Sequence, residues 1–195
     1  MLRFIIKVMY YLKLSQKEVC FMKTLVVYTS QTGFTRRYAE WVAERMRADI
    51  FDLKDVQKKD MEYFKGYDAI VYAGWCMAGK VVKVNWFLDK ASGLKEKKLA
   101  VIAVGGSPID NPDVDVSMKN LMTDEQRQYI KAFYCQGGIN YEKMKFGSRL
   151  AMKAFVKVLK NSKDEKQREV GNLIDHSYDI SDVKYIDPII AFLEG

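Results

Sequence analysis

Four short runs of unbroken apolar and β-branched residues recur along this chain, each separated from the next by a stretch with helical spacing. They are residues 24–30, 68–75 ("DAIVYAGW"), 98–106 ("KLAVIAVGG") and 132–138 ("AFYCQGG"). A strand that is apolar on both sides must be covered on both faces. Strands of that kind alternating with helices form a parallel sheet between two helical layers. A shorter alternating run, residues 49–53, adds a strand at the side of the sheet. The pattern therefore predicts an α/β fold: a doubly wound, five-stranded parallel sheet with helices on both faces.

The helical stretches are expected at 33–46, 56–64, 80–91, 142–160 and 181–193. Phe34, Tyr38, Val42 and Met46 recur every four residues along the first, which marks its buried stripe. Pro188 falls early in the last helix or kinks it. Between the third and fourth buried strands, Pro108, Asn111 and Pro112 open a loop. "MTDEQRQYI" follows, a short helix with Thr123 as N-cap and Gln126 at the capping-box position.

With 195 residues, the chain has room for one domain and an appendage. Residues 22–195 are read as that domain. Residues 1–21 are read as an extension outside the fold, because a strand starts directly after Met22. The alternative for 1–21 is a membrane-surface helix, since Arg3, Lys7, Lys13 and Lys17 fall within about 120° of a helical wheel. Three widely spaced cysteines, no CxxC pair and a single histidine argue against a structural zinc site, and no metal is expected. Sparse cysteines fit a reducing compartment, so the cytoplasm is expected, with peripheral contact at the inner face of the membrane as a further option.

On sheets of this class, ligands bind beyond the carboxyl ends of the strands, near the point where strand order reverses. Three strand-end loops carry suitable residues. The first is "SQTGFT": Ser30, Gln31, Thr32, Gly33, Phe34 and Thr35. Three hydroxyls can donate to phosphate oxygens. Gly33 permits close backbone approach, and the opening helix turn points N–H groups and its dipole at the same spot. No lysine follows as in a Walker-A loop, and no G-x-G-x-x-G is present. An uncharged cradle for one terminal phosphate results. A simple helix cap would need only Thr32.

The second loop holds Gly74, Trp75, Cys76, Met77, Ala78 and Gly79, with Trp75 able to stack on a planar ring. Trp75 could equally cap the core. The third holds Gly105, Gly106 and Ser107, where glycines let peptide groups face a ligand.

"YTSQTGFT" resembles the phosphate loop of flavodoxins, whose pattern is Ser/Thr-x-Thr-Gly-x-Thr. The likeness runs from Met22 to the C-terminus, and the later loops fall in the order of the two flavodoxin loops beside the ring of FMN. It implies FMN as cofactor, with Ser30 to Thr35 on its phosphate, Gly74 to Gly79 along one ring face and Gly105 to Ser107 on the other side. No catalytic side chain is assigned; the flavin would carry the chemistry. Two departures stand out. The third loop has no tyrosine to stack on the ring. The chain is also basic, with a formal charge of +7, where flavodoxin carriers are typically acidic. Residues 1–21 carry four Lys/Arg and one Glu, so residues 22–195 keep +4.

Basic balance favours anionic partners, although solubility alone would also account for it. Nucleic acid is not among the partners expected. The expected helix 142–160 has Lys145, Arg149, Lys153 and Lys157 at four-residue spacing, then Lys160, interleaved with apolar residues. That combination suits a membrane interface, or else a core-facing helix with a solvated lysine face. This end of the chain is similar in type to the quinone-linked, oxygen-independent protoporphyrinogen oxidases of the same superfamily. Three functions follow as expectations. One is an FMN-dependent electron carrier with a redox partner protein. Another is a protoporphyrinogen IX dehydrogenase passing electrons from a porphyrinogen-type anionic substrate to quinone at the membrane surface. The third is a flavin-free interaction module.

Overall fold

The computed structural model describes residues 22–195. The expectations for residues 1–21 lie outside the described residues.

Five parallel strands form the sheet: β1 (Thr24–Thr29), β2 (Asp49–Asp52), β3 (Ala69–Met77), β5 (Lys98–Gly105) and β6 (Ile130–Gln136), in the order β2-β1-β3-β5-β6. Strand order reverses between β1 and β3, which makes their carboxyl ends the switch point. The two-residue strand β4 (Lys80–Val81) adds antiparallel to β3. A small pair, β7 (Gly138–Ile139) with β8 (Tyr178–Asp179), lies off the main sheet.

Side chains alternate between two cores, as strand pleating requires. Leu25, Val27, Ile70, Tyr72, Leu99 and Val101 face one layer. It contains α2 (Leu53–Val56), α3 (Met61–Lys65) and α4 (Val84–Ala91). Val26, Val71, Ala73, Ala100, Ile102 and Cys135 face the other. There α1 (Phe34–Met46) and the C-terminal α9 (Asp187–Glu194) pack. Each large side chain buried this way contributes roughly 1.5–3 kcal/mol. Tyr38 and Val42 are fully buried on α1, as the four-residue stripe predicts.

Several elements differ from the sequence expectation, each for a local reason. The helix expected at 56–64 is two, because Asp52 accepts from the Lys54 N–H and Asp60 from the Tyr63 N–H, each starting its own turn. The helix expected at 80–91 starts only at Val84, because the chain turns back at Ala78 and Gly79 to form β4. Among the described residues the run at 132–138 is an edge strand, paired only with β5, and its Phe133 and Tyr134 are half-buried. The Thr123–Gln126 capping box is present and starts α6 (Asp124–Arg127). Asn111 caps a further helix, α5 (Pro112–Lys119), with Pro112 in its first turn. The long basic helix, α7, spans Phe146–Lys160. It is followed by α8 (Glu165–Leu173), whose polar sequence hid it: Gly171 is its one buried residue. The expected helix 181–193 begins as a 3-10 turn, Val183–Ile186, and Pro188 opens α9 without kinking it.

Candidate functional site

The register of the sheet brings the three strand-end loops to one level. Thr29 is level with Gly74 across β1 and β3, Trp75 with Val104 across β3 and β5, and Gly105 with Gln136 across β5 and β6.

In the first loop, Gly33 adopts φ +106°, a left-handed conformation that favours glycine, and a Cβ there would meet nothing within 4 Å. The space over the start of α1 is therefore open. Helix α1 has no side-chain cap. Thr32 does not cap it, and the Ser30 hydroxyl accepts instead from the Gly33 N–H at 3.2 Å. Thr35 is 1% exposed, and its Oγ1 is buried with no hydrogen-bond partner among the described residues. A buried hydroxyl left unsatisfied costs roughly 1–3 kcal/mol. Its placement in the first turn of α1, under uncapped N–H groups, fits an anion that would accept from them all.

Phe34 is turned into the core against α1's layer and lies under the Arg37 guanidinium, 5.6 Å from ring centre to Cζ. Gln31 turns outward and donates from Nε2 to Ser148 Oγ at 3.1 Å, which ties the loop to the first turn of α7. A cavity of about 420 Å3 opens beside the loop, with Thr32, Gly33, Arg37 and Lys143 in its wall. Arg37 is held there by Asp179 at 2.7 Å and Ser181 at 2.5 Å.

The second loop is a hairpin. Ala78 and Gly79 have φ of +49° and +73°, the two positive φ values of a type I′ turn, and they join β3 to β4. Gly74 is required by close approach: a Cβ there would lie 2.5 Å from Val81 Cγ1. Tyr72 fixes the same hairpin by donating to the Val82 carbonyl at 2.6 Å. Met77, Ala78 and Gly79 are exposed, and Trp75 is half-buried. Strand alternation puts Trp75 on the α1 side of the sheet and Cys76 on the opposite side, packed against the core. Burial pushes the Cys76 thiol up to about 11. It is an inert thiol at neutral pH.

The third loop is pinned from below by residues the sequence reading missed. Tyr134 donates to the Ser107 carbonyl at 2.7 Å, and Tyr178 to the Gly106 carbonyl at 2.9 Å. Gln136 accepts from the Ile109 N–H at 2.6 Å. A Cβ on Gly105 would lie 2.5 Å from the Tyr134 hydroxyl, so the glycine is what lets the tyrosine reach under the loop. The only hint in the sequence was that "AFYCQGG" carries polar groups at its end.

Among known families, the flavodoxin domain matches over residues 25–166. The chain belongs to the flavodoxin domain family. No curated protein matches it significantly. The chain is similar to several solved structures at low identity. The Trp repressor binding protein from Bacillus subtilis has 16% identity and a TM-score of 0.46, over 66% of this chain and 95% of that one. The two-electron reduced flavodoxin of Megasphaera elsdenii has 16% identity and a TM-score of 0.43, over 64% and 89%. A flavoprotein in complex with FMN from Lactobacillus acidophilus has 17% identity and a TM-score of 0.36, over 59% and 92%. Within this flavodoxin domain, residues 30–35 occupy the start of α1 at the switch point. Among the described residues no group of three or more His, Cys, Asp or Glu could hold a metal. No described helix is long and apolar enough to cross a membrane.

Proposed function

We propose that this flavodoxin domain binds FMN and transfers electrons through it. The observation that carries the reading is the Thr35 hydroxyl, buried and unpartnered in the opening turn of an uncapped helix. When bound, FMN supplies the redox chemistry, taking up and passing on electrons at its ring. Ser30, Thr32 and Thr35 would donate to its phosphate, together with the first N–H groups of α1, and no lysine or arginine within the loop is needed. Gly33 keeps the approach open. The hairpin and the third loop would flank the ring with backbone groups held in place by Tyr72, Tyr134 and Tyr178. Trp75 is the candidate ring contact on the α1 side. Cys76 faces the other side and takes no part.

A second reading makes the protein an enzyme that passes electrons from a porphyrinogen-type anionic substrate to quinone. The basic balance supports it, as do the apolar side chains exposed around the second and third loops: Met77, Ile109 and Val116. A Cβ on Gly79 would lie 3.2 Å from Ser117 Oγ, so α5, which carries Val116, passes beside the hairpin that carries Met77. Such a rim suits an apolar acceptor.

The test is anaerobic reduction of the flavin-loaded protein, then addition of quinone or protoporphyrinogen. Reoxidation by quinone and turnover of protoporphyrinogen support the enzyme. A loaded protein inert to both leaves the carrier with a protein partner. A protein that stays colourless in excess FMN would be an interaction module, and the proposal fails.

A further inference from the structure

Most of helix α7 is exposed to solvent. It packs principally on α8, and of its fifteen residues Val156 is the one that is buried. The two helices approach closely at Gly171, where a Cβ would lie 3.0 Å from Leu159 Cβ. On the other side of α7, Phe146, Leu150, Phe155 and Val158 are 83%, 61%, 53% and 69% exposed. At 100° per residue they span about half the helix circumference, with Ala151 and Ala154 filling the gaps. Lys153 lies just outside one edge of this arc and Lys157 just inside that edge, between Phe146 and Leu150, both exposed.

Large apolar side chains exposed in a contiguous arc mark a contact surface. The charge around this one selects the contact. Residues 143–160 carry six Lys/Arg and no acidic residue. A second copy meeting the same face would bring like charge. So would residues 1–21, whose net charge is +3. The complementary surface is one that is apolar within and anionic at its rim.

We propose that the exposed arc of α7 docks on an anionic lipid bilayer, with Phe146, Leu150, Phe155 and Val158 entering the acyl boundary and Lys153 and Lys157 meeting the headgroups. An amphipathic helix lying in the interface binds through these two contributions together. The Gln31–Ser148 hydrogen bond joins the first turn of α7 to the strand-end loops, so docking would bring that end of the sheet close to the bilayer. Electrons could then reach an acceptor dissolved in lipid. The docking itself does not depend on flavin being bound.

The test is flotation of the full chain with vesicles of phosphatidylcholine alone and of equal parts phosphatidylcholine and phosphatidylglycerol. Binding is expected to the second and to fall as salt rises. Lys153→Gln with Lys157→Gln should weaken it about thirtyfold. Leu150→Ser with Phe155→Ser should weaken it by at least about a hundredfold. All four side chains are exposed, so thermal unfolding and FMN affinity should stay unchanged, and vesicle binding should be the same with and without FMN. Three results overturn the proposal: no flotation with the anionic vesicles, flotation that these substitutions leave unchanged, or light scattering that shows a dimer split by Leu150→Ser with Phe155→Ser. A protein that binds no flavin but floats through α7 refutes the FMN reading and leaves the docking standing.

Discussion

The Thr35 hydroxyl offers a perturbation whose two effects have opposite signs. Thr35→Val keeps the shape of a side chain that is 1% exposed and removes only the unpartnered Oγ1. The helix propensities of Thr and Val are close, so α1 is little changed. In the flavin-free protein the substitution removes an unsatisfied buried group. Taking the low end of the cost of such a group, the gain is about 1 kcal/mol. For a domain of this size that raises Tm by about 2–4 °C. In the loaded protein the same hydroxyl would donate to a charged phosphate, an interaction of roughly 1.5–3 kcal/mol. FMN affinity should therefore fall by about ten- to 150-fold. Thermal unfolding without flavin gives the first number, and titration of FMN fluorescence gives the second. A variant with lower flavin-free Tm and unchanged FMN affinity would refute the reasoning, since the hydroxyl would then serve the protein alone.

Four further outcomes follow from the loops. Gly79→Ala, at φ +73° and with Ser117 Oγ 3.2 Å from the new Cβ, should lose about 1 kcal/mol of stability in urea titration. Ala78→Asn, at φ +49°, should gain up to about 0.5–1 kcal/mol, because asparagine tolerates the left-handed region better. Tyr178→Phe removes the donor to the Gly106 carbonyl and should cost about 1 kcal/mol of stability in the same titration. Weaker flavin binding should accompany that loss as the third loop loosens. Cys76, with its thiol pushed up to about 11, should be alkylated by iodoacetamide very slowly at pH 8, where about a thousandth of it is thiolate. The rate should rise about tenfold per pH unit below 11; fast labelling at pH 8 would place the thiol in a different environment.

The parallel sheet was legible because its three central strands, β1, β3 and β5, are buried on both faces along most of their length. The phosphate loop was legible because Ser30, Thr32, Gly33 and Thr35 are contiguous in sequence. Their different tasks were not: Ser30 receives a backbone bond, Thr32 does not cap α1, and only Thr35 has a buried hydroxyl without a partner among the described residues. Those are facts of side-chain direction that spacing does not carry. The second loop gives no sign in sequence of its hairpin at Ala78 and Gly79, since alanine does not mark a positive φ. Tyr134, Gln136 and Tyr178 were missed because they act across 27 to 72 residues of chain, from the edge strand and from β8. The basic helix was visible in the sequence, but its exposed side was not. The spacing of Met144, Phe146, Leu150 and Phe155 fits a buried face as well as an open one, and only packing separates the two.

The central claim is that residues 30–35 receive the phosphate of a flavin. Parallel titration of the flavin-free full chain with FMN and with riboflavin, which lacks the phosphate, tests it most directly. Two or more hydrogen bonds to a charged phosphate predict FMN binding at least about a hundredfold tighter than riboflavin, with yellow absorbance that stays with the protein through gel filtration. Equal affinity for the two flavins, or retention of neither, would contradict the claim.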